Sequence, residues 1–391
     1  MTANFLMETP FHARVAPLCL SGKWERWAGY TTVTYFYRVT DEYFAIRNAA
    51  SLFDMSPMIK YRVTGRDAAR FVNRLITREV DACPPGRGLY ACWCNDDGKV
   101  IEDGTVFRLA EGEFQINTAE HNLCWFEDTA LGLDVTIDDI SEDLAALALQ
   151  GPLSRRVLEQ LGLAGIDRLP YFGLARFTLD DAPLLVSRTG FTGDLGYELW
   201  IEPGRAEMLW DGLMAAGEGH GLTPIGSAAL EIARTEAGLI QIKIDYIGAE
   251  MALRESQKRS PYELGLGWSV NLKKPFFVGK RALVEEQRRG GPPRRLVGLE
   301  VVGNKPATGS FIYRGEVAVG RVTSAAWSPT LKKNIALATV EAAHATPEAD
   351  LWADIWHPKE LKIEKIKAPC RVVRRPFYDP PRRKGQAALP R

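Results

Sequence analysis

Six cysteines are scattered through 391 residues, and no two of them form a C-x-x-C pair. Disulfide frameworks and zinc knuckles need closer, paired spacings, so both are excluded and the thiols read as buried and reduced. Lysine plus arginine and aspartate plus glutamate both total 49, for a formal net charge of zero. Holding a phosphate polymer or a charged membrane surface needs a basic excess, so neither nucleic acid nor membrane is an expected partner. No apolar run approaches membrane-spanning length, and residues 1–10 carry no basic or apolar leader pattern. The expectation is a reduced, soluble, cytoplasmic protein. Histidine is scarce too: His12, His220, His344 and His357 are isolated, and His121 has only Cys124 near it, so no metal site is expected. Gly217, Gly219 and Gly221 follow a helical pattern rather than a strand, which makes them a cap and turn, not a dinucleotide loop. The tail from Arg371 to Arg391 sets seven cations against Asp379 alone and reads as a solvated terminus.

What the chain does contain is ample core: 46% of its residues are hydrophobic and 25% charged. Its length predicts two or three domains. Residues 1–40 are rich in aromatics and read as an extended arm. A short helix follows over 41–50, with Asp41 as its cap and Phe44, Ala45 and Ile46 facing inward. Residues 52–63 are strand-like, and an amphipathic helix runs through Ala68, Phe71, Val72 and Leu75. Strands over 88–94 and 100–109 are joined by the turn Asn95-Asp96-Asp97-Gly98, whose D-G step is a hairpin signal. Further strands are expected over 114–117, 144–150, 177–187 and 197–202, with helices over 121–129, 206–216 and 227–235 and another beginning at Pro152. This alternation suggests two related α+β half-domains. A Gly/Pro/Arg linker over 288–295 marks a boundary near residue 290, dividing the chain into 1–289 and 290–391. The short alternating runs after it read as a small β-barrel or sandwich.

The most informative segment is Ser187-Arg188-Thr189-Gly190-Phe191-Thr192-Gly193-Asp194-Leu195-Gly196-Tyr197-Glu198. A buried strand enters a Gly-rich loop and a second strand leaves it, delivering Glu198, Phe191 and Tyr197 to one place. Aromatic faces with one carboxylate suit a flat, nitrogen-rich heterocycle; the plain alternative is a hairpin with a charged shoulder. Similarly, Glu102-Asp103 is either a solvated strand end or a carboxylate aimed into a site, and neighbours on a strand point to opposite faces, so only one of the two can enter.

The loop resembles S-R-T-G-[FY]-T-G-x-x-G-[FY]-E, the signature of the aminomethyltransferase family, the glycine cleavage T-protein and its relatives. Residues 90–103 resemble the family hairpin Y-x-x-x-x-N-x-x-G-x-[VI]-x-D-D, with Glu102 in place of the first acid. Arg234-Thr235-Glu236-Ala237 is similar to its R-x-E-A helix, and 323–331 to its T-S-x-x-x-S-P-T-L loop. The matches run in order over about residues 27–378. The resemblance implies a cloverleaf of two α+β lobes and a C-terminal β-barrel around a tetrahydrofolate site. In it Glu198 holds the pterin, Asp103 faces the N5 nitrogen, and Arg234 pairs with the folate tail. Tyr90, Asn117, Phe191, Tyr197 and Trp268 fall among the folate-binding positions. An ionised Asp103 would fix N5 and stabilise the cation formed there, or act as a general base.

Two departures bear on the one-carbon donor. The T-protein's D-V-S-H-M-G reads Asp54-Met55-Ser56-Pro57-Met58-Ile59 here, and its G-x-[DE]-[ML] element is not found in the run 238–246. With Tyr30, Pro57, Met58 and Trp93 taken as the donor wall, the site reads as apolar and aromatic, suited to a small methylated donor by cation–π or stacking contact. The expectation is therefore a demethylase, with a lipoyl carrier protein an unlikely partner. The alternatives are a glycine cleavage aminomethyltransferase and a folate-binding regulatory protein without catalysis, the last disfavoured by an acid at Asp103.

Overall fold

The computed structural model describes residues 6–385. A six-stranded sheet runs in the order Leu174–Leu179, Ala182–Ser187, Gly196–Ile201, Ala145–Gln150, Ala50–Asp54, Leu222–Pro224. A five-stranded sheet runs in the order Arg87–Cys94, Val100–Ala110, Glu113–Thr118, Ile59–Thr64, Thr136–Asp139. Helices Ser154–Gln160 and Ala206–Gly217 bury Val157, Leu158, Leu209 and Leu213 on the first sheet. Helix Ala68–Leu75 buries Phe71, Val72 and Leu75, and helix Leu123–Ala130 buries Phe126, on the second. The C-terminal domain is a closed barrel of six strands between Arg294 and Val373. The cloverleaf of two α+β lobes and a barrel is thus the fold. Among the described residues no helix is long and apolar enough to cross a membrane.

Helix Ser227–Glu236 joins the three parts. Its last carboxylate, Glu236, is buried and receives Arg47 Nη2 at 2.6 Å, the Tyr43 hydroxyl at 2.5 Å and the barrel's Ser328 hydroxyl. The Glu of the R-x-E-A element therefore forms a buried hub, an ion pair with Arg47 joined by hydrogen bonds from Tyr43 and from the Ser of the barrel loop, and a charge so buried needs all of these partners.

Several local expectations are corrected. The run 52–63 is two strands in two different sheets, broken at Ser56-Pro57: proline cannot donate to a ladder, and Asp54 Oδ1 accepts Ser56 N–H at 3.0 Å to start the turn. This crossing between lobes carries Met55 and Met58 to the central cavity. The run 177–187 is a hairpin turning at Asp180 and Asp181, both at positive φ (44° and 63°), a conformation that Asp tolerates better than most residues. The helix expected over 41–50 spans Val39–Asn48, with Arg38 rather than Asp41 at the N-cap position and no side-chain capping bond, and it turns Tyr43 inward while Phe44 lies 39% exposed. The aromatic arm contains a hairpin, Lys23–Trp27 with Tyr30–Tyr35, and the barrel includes the strand Leu351–Lys359, paired with Lys362–Val373.

Candidate active site

A cavity of about 910 Å³ lies where the two sheets, helix Ser227–Glu236 and the chain leaving the barrel meet. Two carboxylates with free lone pairs, buried Glu198 and half-buried Asp103, face it from different lobes.

Glu198 comes from the strand Gly196–Ile201. Alternation along this strand puts Glu198 and Trp200 on the cavity side and packs Tyr197 into the core on the opposite side, 1% exposed, so Tyr197 is not a site aromatic. Thr189 Oγ1 donates to Glu198 Oε2 at 2.5 Å and Ser187 Oγ to the same oxygen at 3.3 Å, which leaves Oε1 for a ligand. Burial pushes the carboxyl up to about 6 against those two hydroxyls. The loop is stapled by Gln150, a residue sequence reasoning missed. Its Nε2 donates to Thr189 O (3.2 Å) and Tyr197 O (3.3 Å), and its Oε1 accepts Thr192 Oγ1 (2.9 Å). Gly190 and Gly196 are what let it fit, since a Cβ there would lie 2.0 and 2.2 Å from Gln150 Oε1.

Asp103 comes from the hairpin Arg87–Cys94 and Val100–Ala110, where Cys92 pairs with Asp103 and Tyr90 with Thr105. Tyr90 therefore shares the face of Asp103, and its hydroxyl donates to Oδ2 at 2.7 Å. The Tyr246 hydroxyl donates to Oδ1. Burial raises Asp103 to about 6, opposed by both phenols. Glu102 also borders the cavity, but its carboxylate is taken up by Ala119 N–H (2.6 Å), Glu120 N–H (3.1 Å) and the Asn122 amide; burial still lifts it to about 8. Trp93 goes with Glu102: it is fully buried edge-on to Phe126 and donates to Asn122 Oδ1 at 3.1 Å, so it belongs to the core and not to the cavity.

Among the other expected residues, Asn117, Phe191 and Met58 line the cavity, and Trp268, 65% exposed, stacks on Tyr90 with ring centroids 6.0 Å apart at its mouth. Tyr30 and Pro57 do not line it; Trp27, Phe53 and Met55 do. Ile59 is buried in the core of the five-stranded sheet. The replacements at Pro57 and Ile59 thus lie outside the wall they were expected to reshape.

Arg234 reaches the cavity wall, but all five of its N–H donors are taken. Nε and Nη2 go to Glu231 (2.7 Å from Nε), Nη1 to Asp245 (2.7 Å) and Leu239 O (3.0 Å), and Nη2 also to Ser324 (2.8 Å). It has none left for a folate carboxylate. The cation better placed is Arg375, from the tail that was read as solvated. Arg375 lines the cavity, bonded among the described residues to the carbonyls of Leu264 (3.2 Å) and Gly238 (3.5 Å), and burial lowers its pKa. The tail is held there by Arg382, whose Nε and Nη2 grip Asp194 of the signature loop at 2.6 and 2.8 Å. Composition gave no hint of this, because a cationic run looks the same free or clasped.

Against known families, residues 11–274 match the GCVT N-terminal domain and residues 294–379 the glycine cleavage T-protein C-terminal barrel domain. The chain belongs to the aminomethyltransferase family. It is 36% identical over 364 residues to an aminomethyltransferase of Clostridium botulinum (strain Loch Maree / Type A3), covering 91% of this chain and 94% of the relative. It is 32% identical to that of Bacillus subtilis (strain 168), covering 91% and 95%. The crystal structure of glycine cleavage system aminomethyltransferase T from Bartonella henselae superposes with a TM-score of 0.84 at 24% identity, covering 96% of this chain and 99% of that one, and shares its fold. Aminomethyltransferases are tetrahydrofolate-dependent one-carbon transferases, and this chain is an enzyme of that class. The expectation that a lipoyl carrier protein is an unlikely partner is overturned by these matches to aminomethyltransferases over 91% of the chain and by the match of residues 294–379 to the glycine cleavage T-protein C-terminal barrel domain. The demethylase expectation has no support among these relatives. The residues present fit tetrahydrofolate: Glu198 offers a free carboxylate oxygen to an N–H edge, Asp103 a second anion, and Tyr90, Phe191 and Trp268 offer ring faces.

Proposed function

We propose that this aminomethyltransferase is of the glycine-cleavage type: it transfers a methylene unit from an aminomethyl group carried on the lipoyl arm of a carrier protein to tetrahydrofolate, with release of ammonia. The observation that carries the reading is one cavity of about 910 Å³ with Glu198 and Asp103 on its walls, in a chain similar to aminomethyltransferases over 91% of its length. Tetrahydrofolate, when bound, supplies the nitrogen nucleophile that accepts the one-carbon unit.

The chain's own residues do the rest. Glu198, held by Ser187 and Thr189, orients the ring through charge-assisted hydrogen bonds. Asp103, ionised at neutral pH, accepts a proton or stabilises positive charge at its free lone pairs. Arg375 meets a tail carboxylate, and the apolar surfaces of Trp27, Phe53, Met55 and Met58 receive the alkyl chain of the lipoyl arm and keep water from the reacting carbon. Incubating the protein with aminomethyl-loaded lipoyl carrier and tetrahydrofolate should release ammonia and form methylene-tetrahydrofolate in equal amounts. Product no faster than the enzyme-free control would refute the reading.

A further inference from the structure

Asp103 is gripped by two phenols of different origin. Tyr90 donates to Oδ2 from the adjacent strand of the same hairpin, whereas Tyr246, which donates to Oδ1, lies 143 residues away in the turn after helix Ser227–Glu236. We infer that Tyr246 is a positioning residue which, with Tyr90, clamps Asp103 as an anion of fixed orientation and leaves only its remaining lone pairs to a ligand nitrogen. This rests on the role given to Asp103 above.

A tight turn sets the direction of Tyr246. Lys243 stands at φ +68°, its N–H donates to Tyr246 O at 2.7 Å, and Asp245 N–H donates to Gln241 O at 2.8 Å. Asp245 pins the turn: its carboxylate receives Arg234 at 2.7 Å, Gln241 N–H at 3.0 Å, Thr323 at 2.6 Å and Ser324 at 2.7 Å. The saturated Arg234 cluster thus acts through Asp245 on the neighbour that touches Asp103. Tyr246 itself is 4% exposed, packed with Ile240, Ile242 and Leu264.

The charge balance explains why a second phenol matters. Tyr90 and Cys92 from the paired strand, Tyr246 and Asp245 from the turn, and Glu102 behind on its own strand surround Asp103, with Arg375 beyond Tyr90. Burial and the neighbouring acid Asp245 disfavour its charge, and the two hydroxyls favour it. A carboxylate has about four lone-pair sites; with two taken by phenols, the open ones have a defined direction.

Tyr246→Phe removes the donor and keeps the ring. With aspartate 13C-labelled at its carboxyl, the Asp103 signal, assigned by its loss in Asp103→Asn, should titrate about one pH unit higher in Tyr246→Phe, the size of one hydrogen bond to a charged group. The ascending limb of kcat against pH should move equally, with KM for tetrahydrofolate within about two-fold of wild type. A more acidic phenol, 3-fluorotyrosine placed at position 246, should shift the midpoint down. A midpoint unmoved by both changes overturns the clamp. The NMR titration needs no turnover, so a shifted midpoint with an unshifted activity limb would leave the clamp standing and remove Asp103 from the reaction.

Discussion

Glu198→Gln keeps the shape of the side chain and removes its charge, so it isolates what the carboxylate does for the pterin ring. In the wild type Oε2 is held by Thr189 and Ser187, and Oε1 is open. If the amide oxygen keeps the hydroxyls, its NH2 faces the ligand, and two donors oppose each other. If it turns, the NH2 loses the hydroxyls. Either way a charge-assisted hydrogen bond worth about 1.5–3 kcal/mol is lost, a rise in Kd of about ten- to a hundred-fold. The wild type should also lose affinity as pH falls through about 6, where burial has placed the Glu198 midpoint, since the ligand binds the ionised form. The Gln variant should be flat through that window. Anaerobic calorimetry with tetrahydrofolate from about pH 5 to 8 reads both effects. Equal affinities for the two proteins, or the same pH slope, would show that Glu198 does not hold the ring.

Asp103→Asn should keep tetrahydrofolate affinity within a few-fold and lower turnover by about two orders of magnitude or more, measured by steady-state kinetics; damage from Glu102→Gln instead would put the wrong acid in the site. In wild type, kcat/KM should rise with pH through about 6, the raised midpoint of Asp103. Because that folded midpoint lies above the ordinary carboxylate value, Asp103 contributes stability at low pH that is lost as pH rises through about 6, and chemical denaturation of Asp103→Asn against wild type should show this slope removed. Gly104→Ala places a Cβ 2.3 Å from the backbone oxygen of Asn117 and must open the strand pairing beside Asp103; a loss of about 1–3 kcal/mol is expected in denaturant unfolding.

The sequence by itself determined the parts of this protein that depend on local order. Turn chemistry at Asn95–Gly98, the alternation that separates Glu102 from Asp103, and the strand–loop–strand around Glu198 are all carried by short-range backbone preferences, and the structure has them. The barrel was legible in its short alternating runs for the same reason. Tertiary structure alone decided which residues meet. Tyr197 looked like a site aromatic because it neighbours Glu198 in sequence, yet on a strand adjacency means the opposite face; Trp93 was expected at the donor wall, but it pairs with Glu102 and is buried in the core. Pro57 marked a change that the fold keeps away from the cavity, while Met55 and Met58 on either side of it reach the wall. Arg234 read as a ligand for folate, but burial had already committed its five donors to Glu231, Leu239, Asp245 and Ser324. Arg375, Arg382 and Tyr246 carried no signal at all, since each acts on a partner more than a hundred residues away. Contacts of that separation are chosen by packing and by the cost of leaving a buried charge unpaired, and neither is written in any one stretch of chain.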